Sequence, residues 1–427
     1  MRMFLILGIA CLALAAMFLL RPGSPNPLHG TGPGDASSDS TVADTNMAGD
    51  TPPPDKPPVA KSDAPRRAAA GPANTARPLE AASPPSSLWP QPTPETRQLV
   101  NNLFQLPVND GSLNADLAAT WRTNLAQLTA HGAAAIPAIV EFLDKNSDLE
   151  FGPAGKQALG YGSARLALLD VLAQVGGTDG LRAMTGVLGV TADPREIATL
   201  GRYLEQLEPG AHRQEVLDAA RQALAMAREG GLSDRDVAPL FEVFQNYGDA
   251  SIASDLMQDS KQWNYYSMLA LAQLPEGAGI PGLIQIVNGE GGLGTGARVP
   301  ALEMLAQSAG GSDVARAALL DQVKQNKLTA YNWATLESIL AGDQVRFQDS
   351  AFDSDLAATR STDTRRTHIS SGNQNFYSAP PVGGLTPEQI QQQNALIDEL
   401  MKATTDQTGL AVLQRAKALL ETRAGGP

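Results

Sequence analysis

Between Ala133 and about Leu188 the apolar residues recur at helical spacing. Ile136, Ile139, Val140 and Leu143 fall at i, i+3, i+4 and i+7, and Leu168, Leu169, Leu172 and Val175 make a similar stripe ahead of Gly176-Gly177. This predicts a helix, a loop, and a second helix stopped by glycine. Two helices this short cannot cover both stripes, so the pattern must recur, and it does. Upstream, Thr93-Pro94-Glu95-Thr96 provides an N-cap with proline at N1 for a helix carrying Leu99, Val100, Leu103 and Phe104. Asp116 to Gly132 continues through Leu117, Trp121, Leu125 and Leu128, with His131 placed to cap its carbonyl end. Downstream, Asp193-Pro194-Arg195-Glu196 reads as a capping box that opens a helix through Ile197, Leu200, Tyr203, Leu204 and Leu207. His212 begins the next, through Val216, Leu217, Ala220 and Leu224, and Ser233 is expected to cap one with Val237, Leu240, Phe241 and Phe244. Residues 263–274, 280–287, 298–308, 314–323 and 329–340 continue in the same style.

Three of these helices share an ending: Leu172-Ala173-Gln174, Leu271-Ala272-Gln273 and Leu305-Ala306-Gln307. Separations of 99 and 34 residues fit an irregular repeat of about 33 to 47 residues. The stretches 135–143, 164–177 and 279–287 resemble the helix pairs of HEAT and armadillo-type repeat proteins, over roughly residues 110–345. That resemblance implies an all-α fold, a right-handed α-solenoid that binds other macromolecules, with no fixed chemistry and no set functional residues. Residues 178–270 fit the repeat less well, and the array is expected to vary there.

The flanking segments are of a different kind. Met3 to Leu20 is apolar and uncharged, roughly 27 Å if helical, enough to cross a bilayer core. It reads as a signal anchor within residues 1–21. The alternative is a cleaved signal peptide with Ala13-Leu14-Ala15 as its small-residue site, but Met17-Phe18-Leu19-Leu20 extends the apolar run past that point. Lipidation at Cys11 fits poorly, because Gly8 stands where a branched apolar residue belongs. Residues 22–92, rich in proline, glycine, serine and alanine, read as a disordered linker; Leu88-Trp89-Pro90 near its end is expected to pack on the first helix. The folded array is expected over 93–342. Residues 343–385 turn polar with hardly any stripe and read as a mostly disordered loop. Thr386-Pro387-Glu388-Gln389, another capping box, opens a helical hairpin over 386–424, which either caps the array or binds separately.

Composition narrows the function. Aromatic residues are only 5%, which suits close-packed short helices better than a β-sandwich. The net charge is −13, and about −11 of it lies between Thr96 and Val345, so this region repels nucleic acid and anionic lipid. Cys11, the only cysteine, rules out an internal disulfide and a cysteine-based zinc site. Gly292-x-Gly294-x-x-Ala297 formally matches a dinucleotide pattern, but it follows a predicted helix instead of a strand and no lysine follows as in a phosphate loop. No cofactor and no metal is indicated.

Asp249, Asp255, Asp259 and Glu337 are the acids from which glycan-cleaving chemistry would have to be built, and they read as solvated helix faces. The aromatic concentrations Trp263, Tyr265, Tyr266 and Tyr331, Trp333 are the candidates for a partner-binding surface, with Arg298 available to an anionic group. Adjacent Tyr265 and Tyr266 cannot face one way on a helix, so one of them is expected at the surface. The expectation is a membrane-tethered scaffold, anchored through residues 3–20 in the inner membrane with its bulk in a bacterial periplasm, binding a protein or peptide and no nucleic acid, and not itself an enzyme. The alternatives are an exported cell-wall hydrolase built on an α-superhelix and, if the signal is cleaved, a secreted form of the scaffold.

Overall fold

The computed structural model describes residues 89–106, 113–145, 147–348, 350, 352, 367–371, 374–381 and 383–424. Seventeen α-helices form among these residues, none longer than 18 residues, and each relies on neighbours to cover its apolar side. They pack in two rows. The first runs α2 (Ala115–Ala130), α5 (Ala164–Val175), α7 (Pro194–Leu207), α9 (Ala238–Tyr247), α11 (Asn264–Gln273), α13 (Thr295–Ser308), α15 (Ala330–Leu340) and α17 (Gln407–Ala424), each against the next. The second runs α1 (Pro94–Leu103), α3 (Ile136–Leu143), α6 (Gly177–Leu188) and α8 (Arg213–Arg228), then α10 (Ala253–Asp259), α12 (Ile280–Val287), α14 (Asp313–Lys324) and α16 (Pro387–Ala403). Short α4 (Gly152–Leu159) packs on α2. One core runs between the rows from Leu99 to Leu420.

The helix ends follow local chemistry. Thr93 accepts a hydrogen bond from the Thr96 amide with Pro94 behind it, and Thr386 with Gln389 forms a complete capping box. Asp193 caps α7 through the Arg195 and Glu196 amides, but the expected box is not closed. Glu196 is drawn instead into a buried ion pair with Arg165 of α5, whose Nη2 donates to Oε2 at 3.1 Å while its Nη1 donates to the Leu143 carbonyl at 2.8 Å. A charge-assisted bond with both partners out of water outweighs a capping interaction. The helix expected to start near Ser233 starts at Ala238, where Asp236 accepts from the Ala238 amide at 2.9 Å.

Between α8 and α10 the second row changes character. Arg228 Nε donates to Asp259 at 2.7 Å and Arg221 lies 3.7 Å from Asp255, so ion pairs span this junction. Asp259 is only 3% exposed, which corrects its reading as a solvated acid. Three helices have no counterpart in the expected pattern: α4 and α10, seven or eight residues long with stripes too short to register, and α6, which starts at Gly177 directly after the glycine that ends α5.

The polar stretch expected to be disordered holds three strands, which corrects that reading. β1 (Gln344–Phe347), β2 (Thr367–Ser371) and β3 (Gln374–Ala379) form an antiparallel sheet in the order β1-β3-β2, with Phe347 and Ile369 both opposite Phe376. β1 packs on α11 and α13. Val345, Phe347, Phe376, Tyr377 and Ala379 are buried, and on the helices the Tyr266 hydroxyl accepts from the Asn375 amide at 2.7 Å. Four residues alternating inside a charged run carry little local signal, and the partner strand lies some thirty positions away, so no local pattern marks the sheet.

The C-terminal hairpin continues both rows, α16 on α14 and α17 on α15. Trp89 lies under Arg182 with the guanidinium 5.5 Å from its ring centre, a contact with α6, the third helix of the second row, where the first helix was expected. No helix among the described residues is long and apolar enough to cross a membrane, and Met3–Leu20 and the linker up to Leu88 lie outside them.

Two substitutions test this packing. A Cβ on Gly409 would lie 2.6 Å from the Trp333 ring, so Gly409→Ala is expected to cost about 1–3 kcal/mol in denaturant unfolding; an unchanged midpoint would mean that α17 does not seat on α15. Arg165→Ala leaves Glu196 buried without its cation and is expected to cost about 3–5 kcal/mol, measured in the same way.

Candidate functional site

At the carbonyl ends of α9, α11 and α13 a cleft of about 680 Å³ opens against β1. That is within the range of sites that enclose a ligand. The Leu-Ala-Gln ending builds it. Leu271 and Leu305 are buried in the core, and the glutamine two positions later stands on the last turn of its helix. Gln273 and Gln307 both line the cleft, and Gln245 occupies the corresponding place on α9. Gln245 Nε2 donates to Gln273 Oε1 at 2.7 Å. Gln307 reaches β1, where its Oε1 accepts from the Val345 amide at 2.7 Å and its Nε2 donates to the Val345 carbonyl at 3.4 Å. Gln174, bearer of the third such ending, is engaged elsewhere, donating at 2.8 Å to Asp170, which also takes the hydroxyls of Tyr161 and Tyr203.

The lining is close to neutral. Glu242 and Arg346 bring one charge of each sign, and Arg346 also donates to the Gln344 amide oxygen. Phe347 and Phe352 add an apolar portion, with Phe352 edge-on to Tyr247 at 5.5 Å. Such a surface suits a ligand that offers both donors and acceptors without net charge, as a peptide backbone does. For Gln273 and Gln307 the sequence signal is the recurring Leu-Ala-Gln helix ending; Gln245, after Val243-Phe244, carries none.

The expected aromatic surface is mostly core. Trp263 is buried against Phe241, with ring centres 5.9 Å apart. Tyr266 is fully buried and donates its hydroxyl to Asp236 at 3.0 Å. Trp333 packs beneath Gly409, and its indole nitrogen has no hydrogen-bond partner. Neither of the adjacent tyrosines is exposed, because β3 covers the one that faces out: Tyr265 stacks on Phe376 with ring centres 4.2 Å apart. Of the six candidates, Tyr331 alone is well exposed, at 65%. Arg298 spends its guanidinium on Gln322 at 3.2 Å and the Lys327 carbonyl at 3.4 Å, holding the glycine-rich turn to α14. Of the carboxylates, Asp255 faces Arg221 and Glu337 takes a bidentate contact from Arg415 of α17.

One carboxyl near these aromatics carries no sequence signal of its own. Glu303 of α13 is 6% exposed, and the hydroxyls of Tyr265 and Thr335 hydrogen-bond to it. Burial, only partly offset by those two donors, pushes its pKa up to about 7. Among the described residues no group of histidine, cysteine, aspartate or glutamate side chains is arranged to hold a metal ion.

No known protein family, curated protein or solved structure matches the chain.

The Glu303 environment makes stability depend on pH in a stated direction. The folded state holds this proton up to about pH 7, whereas the unfolded chain releases it near 4.5, so its contribution falls as pH rises across that window. Glu303→Gln is expected to gain on the parent by up to about 3 kcal/mol between pH 4 and pH 8, read from denaturant melts at the two pH values. A constant difference would mean that the carboxyl ionises normally.

Proposed function

We propose that the chain is a HEAT-like, right-handed α-solenoid that works as a binding scaffold for a protein or peptide. In this reading residues 3–20 anchor it in the inner membrane of a bacterium, residues 22–92 form a tether, and the array stands in the periplasm as part of an envelope assembly. A first row of short helices, each packed against the next, with a second row beside it, supports the repeat architecture. The acidic balance of the array, with a formal charge of −13 over the whole chain, disfavours nucleic acid as the partner.

A single observation carries the choice of partner. The Gln307 carboxamide already holds the N–H and the C=O of one extended residue, Val345, and the same kind of group recurs along the cleft at Gln273 and Gln245. These groups recognise main chain, which every polypeptide presents. The carboxylates that would serve a hydrolase, Asp255 and Glu337, face arginines and stand apart from this cleft, so the enzyme reading gains no support.

The test uses the full chain in detergent as bait in an envelope extract. A stoichiometric protein partner is expected, and Gln245→Ala with Gln273→Ala should lower its recovery at least tenfold while the melting temperature stays within a few degrees. Full recovery on the double variant would move binding off the cleft. N-terminal sequencing of the membrane fraction checks the tether, because a mature terminus at Ala16 would leave only a soluble exported form.

A further inference from the structure

We propose that the sheet is completed in trans: an extended, uncharged segment of a partner protein adds to the outer edge of β1 as a fourth strand and takes the place now filled by the Gln307 side chain. This rests on the scaffold reading and names the contact by which the partner is held. The register supplies the argument. Val345 lies opposite Ser378 and Phe347 opposite Phe376, and the Gln348 amide donates to the Asn375 carbonyl at 3.4 Å. In an antiparallel pair, residues alternate between turning their backbone groups toward the partner strand and away from it. Residues 344, 346 and 348 therefore face β3, and Val345 and Phe347 turn outward. Val345 meets Gln307 there, whose amide is chemically a peptide group and makes the two bonds a neighbouring strand would make. Phe347, two residues on, turns its N–H and C=O to the same side and lines the cleft.

An edge strand with one residue matched by a side-chain amide and the next directed into a polar cleft is a template for strand addition. Only a backbone presents a donor and an acceptor at the repeat that Val345 and Phe347 require. The near-neutral lining gives no charge for a strongly acidic or basic segment to answer. The chain's own linker is a poor candidate, because its densest part, residues 51–58, holds five prolines in eight positions and proline cannot donate to a ladder.

The probe is a library of random twelve-residue displayed peptides, panned on the full chain in detergent. Selected peptides are resynthesised with N-methyl groups on alternate amides. Strand addition predicts that methylation on one alternation lowers affinity about tenfold and on the other leaves it unchanged, and that hydrogen exchange at the Val345 and Phe347 amides slows when peptide binds. Gln307→Ala, with its fold checked by unchanged exchange in the β3 ladder, should bind the same peptides about threefold or more tightly, since nothing has to be displaced. Recovery of no peptide, indifference to both methylation patterns, weaker or equal binding by Gln307→Ala, or protection of β1 through dimerisation of the chain itself would each overturn the proposal. An envelope partner lost from the Gln245→Ala, Gln273→Ala variant yet indifferent to Gln307→Ala would leave the scaffold standing and remove strand addition alone. No partner from either experiment would remove both.

Discussion

Everything in this chain follows from helices too short to stand alone. An isolated helix of eight to sixteen residues is marginal in water, and a one-sided stripe stabilises it only when another surface lies against it. Each helix in the two rows therefore depends on the helix before it, the helix after it and the one opposite. Stability is shared along the array, and a single poor junction weakens its neighbours on both sides.

Polar groups in the interior are arranged with that dependence in mind. Arg165 and Glu196 join two successive first-row helices by a buried charge pair at the cost of desolvation, and Arg165 also reaches the second row through the Leu143 carbonyl. Between α8 and α10, where apolar contact thins, arginine–aspartate pairs take over. Glu303 is a third solution: a buried carboxyl between α11 and α15 whose charge is suppressed below about pH 7, with two hydroxyls to receive it when it ionises. All three lie where successive helices of a row meet.

The sheet sets this chain apart from a plain helical array. It lies across α11 and α13, covers Tyr265, which would otherwise stand on the outer face of α11, and lies beside the cleft lined by the amides at the helix ends. In the proposed reading, carboxamides and a strand edge take the place of aromatic side chains, with a small apolar portion at Phe347 and Phe352 and little charge beside them.

Periodicity in the sequence was sufficient to locate most of the helices. Ile280–Val287 was placed to the residue, and Thr93 and Thr386 announced their helices through caps that depend on three or four adjacent positions. Where a pattern is local, the residues that make it also make the structure. The strands, the burial of Trp263 and Trp333, and the role of the glutamines were decided only in three dimensions. β1 has four residues and finds its partner thirty positions later; Trp333 is covered by Gly409, seventy-six positions away; Gln307 has meaning only because Val345 arrives beside it. A side chain's neighbours across such separations are set by packing, and no spacing within a single segment encodes them.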